Sequence, residues 1–349
     1  MVTHVAALIA VQQGIMSFSD PVSKYLPQFA TENLIILVPG SPKDKPEYAP
    51  AKTTMTIQHL FNFTSGLWYT MPPAWDRQNA QYTAEHAEVN FIEKFIDSIK
   101  GDLPGVPLNF EPGTDFVYGW SSDILGFVVE KASGINLEEF FKRNIFDPLG
   151  MKSTSFYQTP NLQSKRVPLN HLQTDEATGE KKLGLYDPNI RLFETDPKKV
   201  RLHLGGVGLY ASAKDYLSFL RHILQLKAGT APNPILNSEY LAKVFEPALP
   251  PSAQKSLQGL FDIALEAALG NAVEGMWQWT VSNALTMKDK EDRRKKGSIA
   301  WSGWANTHHF LDPTTGIAVI LQTQMLPPLN ISVLKYYDEL EKTLYAGLE

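Results

Sequence analysis

Two short stretches of this sequence carry residue types that could do chemistry. In the first, Glu111-Pro112-Gly113-Thr114-Asp115-Phe116-Val117-Tyr118-Gly119-Trp120, a tyrosine follows a Pro-Gly-Thr turn and precedes a helical pattern that begins around Asp123. A tyrosine hydroxyl can relay protons where its surroundings favour the phenolate. The second, Gly297-Ser298-Ile299-Ala300-Trp301-Ser302-Gly303, is a β-type run before a hairpin and a final helix. Trp68, Tyr69, Trp120 and Trp304 lie beside these stretches, and flat aromatic side chains wall many small-molecule pockets. Each feature also has a plain structural alternative. An isolated tyrosine is usually core, Trp and Gly pack together in many strands, and clustered aromatics form ordinary interiors.

Other chemistries find less support. His308 and His309 are adjacent, so on a strand they face opposite sides and cannot chelate one metal together. There is no His-Glu-x-x-His spacing and no Gly-x-Ser-x-Gly elbow. Ser252-Ala253-Gln254-Lys255 and Ser332-Val333-Leu334-Lys335 match Ser-x-x-Lys, at a frequency expected by chance. The first lies in a Pro-rich connection and the second in the closing helix, so both read as incidental. The run Lys288 to Lys296 alternates in sign before turning basic, the composition of a solvated hairpin tip.

The elements that must position Tyr118 and Trp301 can be read from periodicity. Val2, Val5, Ala6, Ile9 and Ala10 recur at helical spacing, and Ala7, Leu8 and Val11 make the opposite face apolar too. A helix apolar all round is surrounded by protein. Residues 39–56 read as a surface loop, 83–100 and 121–145 as helices, Lys214 to Leu226 as another helix, and Ala231 to Ala253 as an irregular connection. After Gly275 come the β-type runs Trp277 to Asn283, Gly297 to Trp301, Thr307 to Leu311 and Ile317 to Thr323, with Asp312-Pro313-Thr314-Thr315-Gly316 as a hairpin turn. Ile331, Leu334, Tyr337, Leu340 and Leu344 give the last helix an apolar stripe. No internal repeat is visible.

At 349 residues, 43% hydrophobic and 20% charged, the chain has the composition of a globular protein with a sizeable core. A net charge of −5 favours neither nucleic acid nor an anionic membrane surface as a partner. The absence of cysteine excludes disulfides, thiolate metal sites and a cysteine nucleophile. The apolar run Val5 to Val11 is too short to span a bilayer and lacks the flanks of a signal peptide, so a cytoplasmic location is expected.

Several segments, taken in order, resemble the serine β-lactamase and penicillin-binding-protein superfamily. They are Met1 to Gly14, Asp20 to Pro27, His59-Leu60-Phe61-Asn62-Phe63-Thr64-Ser65-Gly66-Leu67, the Tyr118 stretch, Phe146-Asp147-Pro148-Leu149-Gly150-Met151, and Gly205 to Tyr216. Trp301-Ser302-Gly303 stands where β-lactamases carry Lys-Thr-Gly, a variation similar to class C-like esterases and fungal lovastatin-type acyltransferases. The resemblance implies an α+β fold: one two-lobed domain over 1–349, an antiparallel sheet flanked by helices, and an inserted, mainly helical lobe near 60–230. The core helix, sheet and closing helix come from 1–30 and 270–349.

The same resemblance implies the chemistry. A serine attacks an ester or thioester, an acyl-enzyme forms, and water or an alcohol accepts the acyl group. Tyr118 corresponds to the family base, which a nearby positive charge holds towards phenolate, and Trp120 occupies the position of the family asparagine. The N–H of Trp304 corresponds to one oxyanion donor beside Trp301, Ser302 and Gly303. Trp68, Tyr69 and Trp120 are the pocket candidates. The family's Ser-x-x-Lys would end at the residue before Met1, so the nucleophile motif and the strands preceding it are expected to be missing from this chain. The implied partner is a small-molecule ester or thioester, including a carrier-bound acyl group; no cofactor and no metal is implied. A catalytically inactive binding relative and serine-independent proton transfer at Tyr118 are the alternative readings.

Overall fold

The computed structural model describes residues 1–42, 44–69, 90–175, 178–186, 196–262 and 273–348. Its helices include α1 (Val2–Gln12), α2 (Ile57–Phe61), α3 (Phe91–Lys100), α4 (Ser121–Ser133), α5 (Leu137–Phe141), α6 (Ala213–Lys227), α7 (Ser238–Phe245), α8 (Gln254–Phe261) and α9 (Ile331–Ala346). Every residue of α1 from Val2 to Val11 is buried, as expected of a helix without a polar face. It packs on α4, α5 and α7. The helical expectation for 83–100 is met by α3, and residues 83–89 lie outside the described part.

Two other expectations change. The stretch 39–56 contains a strand, β2 (Tyr48–Pro50), which pairs antiparallel with β1 (Leu34–Leu37), while β3 (Val106–Leu108) joins β1 in parallel. The Pro-rich connection 231–253 contains α7, started by the Asn237 side chain accepting the Tyr240 N–H at 3.1 Å. Proline composition hid a helix whose first turn is set by its cap. Between α5 and α6 run β4 (Thr154–Ser155), β5 (Asn170–Thr174), β6 (Lys181–Leu185) and β7 (Tyr210–Ala211).

The main sheet is an antiparallel meander in the order β12-β11-β10-β9-β8, made of β8 (Trp277–Trp279), β9 (Ala284–Thr286), β10 (Ile299–Gly303), β11 (Thr307–Asp312) and β12 (Ile317–Leu321). The run Trp277 to Asn283 is therefore not one strand. The Thr280 hydroxyl accepts the N–H groups of Ser282 and Asn283, each at 3.0 Å, and reverses the chain into β9. Alternation along β11 sends His308 and Phe310 to α9, where they meet Tyr337 at 4.8 and 6.5 Å, and sends His309 to Tyr216 of α6 at 5.4 Å. The α+β arrangement of a helix-flanked antiparallel sheet is the one expected. Among the described residues no helix is long and apolar enough to cross a membrane.

Helix α9 docks by part of the stripe read from sequence, Leu334 being buried and Tyr337 packed on His308 and Phe310. Its buried residues are Val333, Leu334, Asp338, Glu341 and Tyr345, and Ile331 is exposed. Its two buried carboxylates are met by two arginines from the run read as a solvated hairpin tip. Arg294 grips Glu341 through Nε at 2.8 Å and Nη2 at 2.6 Å, and Arg293 grips Asp338 at 3.0 and 2.7 Å. The Arg294 guanidinium lies 4.3 Å from the centre of the Phe310 ring.

Burial pushes the Glu341 carboxyl up, but the hydrogen bonds and charge of Arg294 outweigh it and hold the group below its ordinary 4.5. A carboxyl depressed in the folded state stabilises the protein above its unfolded pKa, and that stability is lost as pH falls through the folded value. Removing one partner leaves the other charge buried and uncompensated. Glu341→Gln should therefore cost about 3–5 kcal/mol in urea unfolding at neutral pH. The gap from the native protein should shrink as acid protonates Glu341, and Arg294→Met with Glu341→Leu together should cost far less than either single change.

Candidate active site

The Tyr118 segment is fixed by the chain that precedes it in space. The N–H of Gly113 donates to the Thr64 carbonyl at 2.7 Å and the N–H of Val117 to the Phe63 carbonyl at 3.0 Å. Gly119 lets the backbone press against Leu67 and Trp68, since a Cβ there would sit 2.2 Å from the Leu67 carbonyl oxygen. The Tyr118 ring is stacked on Phe63, centroids 4.8 Å apart and planes 20° from parallel. On its other side lies Trp301 of β10, whose indole N–H donates to the Tyr118 hydroxyl oxygen at 3.0 Å. A tyrosine and a strand 183 positions apart in sequence are thus in direct contact.

Around this pair opens a cavity of about 1650 Å³. Tyr118, Trp301, Ser302, Gly303 and Trp304 line it, as do two of the pocket candidates, Tyr69 and Trp120. The third, Trp68, does not line it; its backbone serves instead as the surface against which Gly119 packs. Tyr69 meets the Trp120 ring edge-on at 4.7 Å and the Tyr118 ring at 5.7 Å. Trp304 is 39% exposed at the rim, facing Tyr186 at 6.5 Å. The opposite wall is also aromatic: Phe261 stacks on Trp277 at 4.3 Å, and Trp279 meets Trp301 edge-on at 4.5 Å.

Sequence reasoning missed His4, Phe63 and Ser122, which form the floor of the cavity together with the first turn of α1. The Nδ1 of His4 lies 2.5 Å from the Val281 carbonyl oxygen, which can only accept, so Nδ1 carries the proton. Nε2 then accepts the Ser122 hydroxyl at 2.9 Å. Burial pushes His4 down to about 3, so the imidazole is neutral at physiological pH. The available signal was polarity out of place, Thr3 and His4 in a helix otherwise apolar all round. Thr3 is also satisfied, through the Gly205 carbonyl at 2.6 Å.

Burial pushes the Tyr118 phenol above its ordinary 10.0, while hydrogen bonds from Trp301 and Tyr69 pull it back and the charge of Asp123 pushes it further up. The nearby positive charge expected from sequence is not among the groups acting on it; the partner of the hydroxyl is a neutral indole. Asp123, in the first turn of α4, accepts the Gly206 N–H at 2.8 Å through Oδ1, and its buried Oδ2 has no partner. Burial pushes its carboxyl from 3.8 up to about 7. The serine and lysine of both Ser-x-x-Lys matches are solvent-exposed and do not line the cavity. Among the described residues no group of three or more His, Asp or Glu side chains is placed to hold a metal ion.

Two outcomes follow from these environments. Trp301→Phe deletes the donor that favours the phenolate, so the ultraviolet titration of Tyr118, isolated by difference from Tyr118→Phe, should shift to higher pH by about one unit. Asp123 has a raised folded pKa, so its contribution to stability is full below the unfolded value and declines as pH rises towards the folded one. Asp123→Asn should therefore gain stability relative to the native protein between about pH 4 and pH 7, as read from thermal unfolding across that range.

Comparison with known proteins gives this arrangement its relatives. An acyltransferase, calJ, of Penicillium decumbens is 27% identical over 99% of this chain and 78% of its own length. A lovastatin esterase of Penicillium rubens is 25% identical over 95% of this chain and 78% of its own. Among solved structures, unliganded simvastatin synthase from Aspergillus terreus superposes with a TM-score of 0.76 at 22% identity, covering 99% of this chain and 81% of that one. The family model described as Beta-lactamase matches residues 1–341, and the chain accordingly belongs to the β-lactamase family.

Proposed function

We propose that this protein acts in serine acyl transfer on ester or thioester substrates, as an acyltransferase or esterase of secondary metabolism. The observation that carries the reading is the convergence of Tyr118, the Trp301–Trp304 strand edge and the first turn of α1 on one cavity. In this reading a serine at the first turn of α1 attacks the acyl carbonyl carbon, and Tyr118, acting as phenolate, takes its proton and returns it to the departing alcohol or thiol. The acyl group is then bound to the serine oxygen until water or an alcohol attacks the same carbon; Tyr118 takes that proton and gives it to the serine oxygen as the acyl–serine bond breaks. The N–H of Trp304 supports the negative charge on the carbonyl oxygen in both steps.

The walls suit a neutral, apolar acyl group. An indole replaces the β-lactamase lysine, so this edge offers no cation to a substrate carboxylate, while Phe261, Trp277, Trp279 and Trp301 offer flat apolar surface. An open rim with exposed Val167, Leu185 and Trp304 and with Arg166 and Lys199 in the lining leaves room for a carrier-bound acyl group as donor. That calJ is named an acyltransferase and another relative an esterase fits one acyl-enzyme partitioned between two acceptors.

The test is intact-mass spectrometry and nitrophenol release with p-nitrophenyl esters, using a polypeptide in which Ser-x-x-Lys directly precedes Met1. A burst, an acyl adduct on that serine, and a loss of about 10²–10⁴-fold in turnover with Tyr118→Phe are expected. Undiminished turnover in Tyr118→Phe would exclude the role given to the tyrosine. Tight ligand binding with neither adduct nor turnover would instead make the protein a binding relative.

A further inference from the structure

Phe63 is a bulky residue at φ 57°, in the left-handed region that side chains with a Cβ avoid. Such strain persists where surrounding structure over-determines it, and it clusters at functional sites. The residue is 1% exposed. Its backbone is held by the Val117 N–H on its carbonyl at 3.0 Å, and the next residue by the Gly113 N–H on the Thr64 carbonyl at 2.7 Å. Both donors belong to the segment that carries Tyr118.

The strained conformation puts the Phe63 ring between two others. His4 stacks on one side at 5.6 Å with planes 12° apart, Tyr118 stacks on the other at 4.8 Å and 20°, and Trp279 closes the edge at 5.2 Å. His4 cannot turn, because its nitrogens are engaged by Val281, in the loop between β8 and β9, and by Ser122 of α4. The column therefore begins on α1, is tied to the sheet and to α4, and ends on the phenol that Trp301 holds from the far side.

We propose that His4 and Phe63 are positioning residues: the column His4–Phe63–Tyr118 transmits the placement of α1 to the Tyr118 hydroxyl and keeps it on the Trp301 indole. The catalytic meaning of the column rests on the reading of Tyr118 as the base, but its existence does not. A tyrosine that takes a proton from a nucleophile seated at the first turn of α1 must keep one separation from that turn through the reaction. Three stiff rings fix that separation better than a flexible side chain would. The backbone strain at Phe63 is the cost of aiming its ring.

The test uses the 349-residue protein and reads the Trp301 indole N–H by nuclear magnetic resonance hydrogen exchange, the signal being assigned with Trp301→Phe. Phe63→Leu and His4→Leu should each speed that exchange by about tenfold or more, the factor for losing one hydrogen bond of ordinary net strength. Phe63→Tyr, which keeps the ring, should retain the native rate. Phe95→Leu is the control: it removes a buried ring that meets Trp120 and Phe127 rather than Tyr118. It should lower Tm while leaving the exchange unchanged. Phe63→Gly removes the strain and the ring together; fast exchange in a protein that still folds separates lost aim from lost stability. Native exchange in Phe63→Leu or His4→Leu, or acceleration in the control equal to theirs, would overturn the proposal. A column present here in a protein whose turnover ignores Tyr118→Phe would leave the positioning intact and refute only the tyrosine's chemical role.

Discussion

Helix α1 has no face to turn to water, and the rest of the structure is arranged around that demand. A helix buried from Val2 to Val11 needs protein on every side, so α4, α5 and α7 come to it from different parts of the chain. Burying apolar side chains of this size is worth about 1.5–3 kcal/mol each. The two polar residues in that helix then become constraints. A buried hydroxyl or imidazole without a partner costs more than most single contacts return. Thr3 must find the Gly205 carbonyl, and His4 must find Val281 and Ser122. Those requirements bring the β8–β9 loop, α4 and the Gly205 segment together at one end of α1, where the cavity opens.

The chemistry of the cavity follows from how dry that end is. Burial is the largest cause that raises Tyr118, Asp123 and Tyr69 above their ordinary values and lowers His4, each shift favouring the neutral form. His4 and Ser122 in the floor, and Tyr118 above it, are thus neutral hydrogen-bonding groups in apolar surroundings. An indole donor suits such a place because it favours the phenolate without burying another charge. At the far face of the sheet the opposite solution holds: Arg294 and Glu341 are both charged and buried, and bidentate geometry makes that tolerable. That ion pair ties α9 to the chain before β10, whereas aromatic contacts surround Tyr118.

Much of the fold was legible in the sequence because period and burial agree there. The run Val2 to Val11 announced a surrounded helix, the alternation after Gly275 announced antiparallel strands, and the spacing of the Tyr118 and Trp301 stretches within recognisable landmarks announced the family. Legibility failed where a local signal was overridden. The proline content of 231–253 concealed α7, and the alternating charges of 288–296 read as a solvated tip although Arg293 and Arg294 are anchors. Of the stripe read on α9, Leu334 and Tyr337 pack on the sheet but Ile331 is exposed, and the ion-paired Asp338 and Glu341 are buried where periodicity of apolar residues gave no sign of them.

The sequence by itself determined that the Tyr118 and Trp301 stretches stand in the order of β-lactamase-family landmarks, since order and turn chemistry are local properties. Only the tertiary structure decided that the Trp301 indole meets the Tyr118 hydroxyl, that Trp68 lends its backbone rather than its ring, and that His4 and Phe63 stand behind the tyrosine. Contacts between residues separated by 59, 118 or 183 positions leave no periodicity to read. They arise because a buried helix must satisfy its few polar atoms wherever the surrounding chain can supply partners.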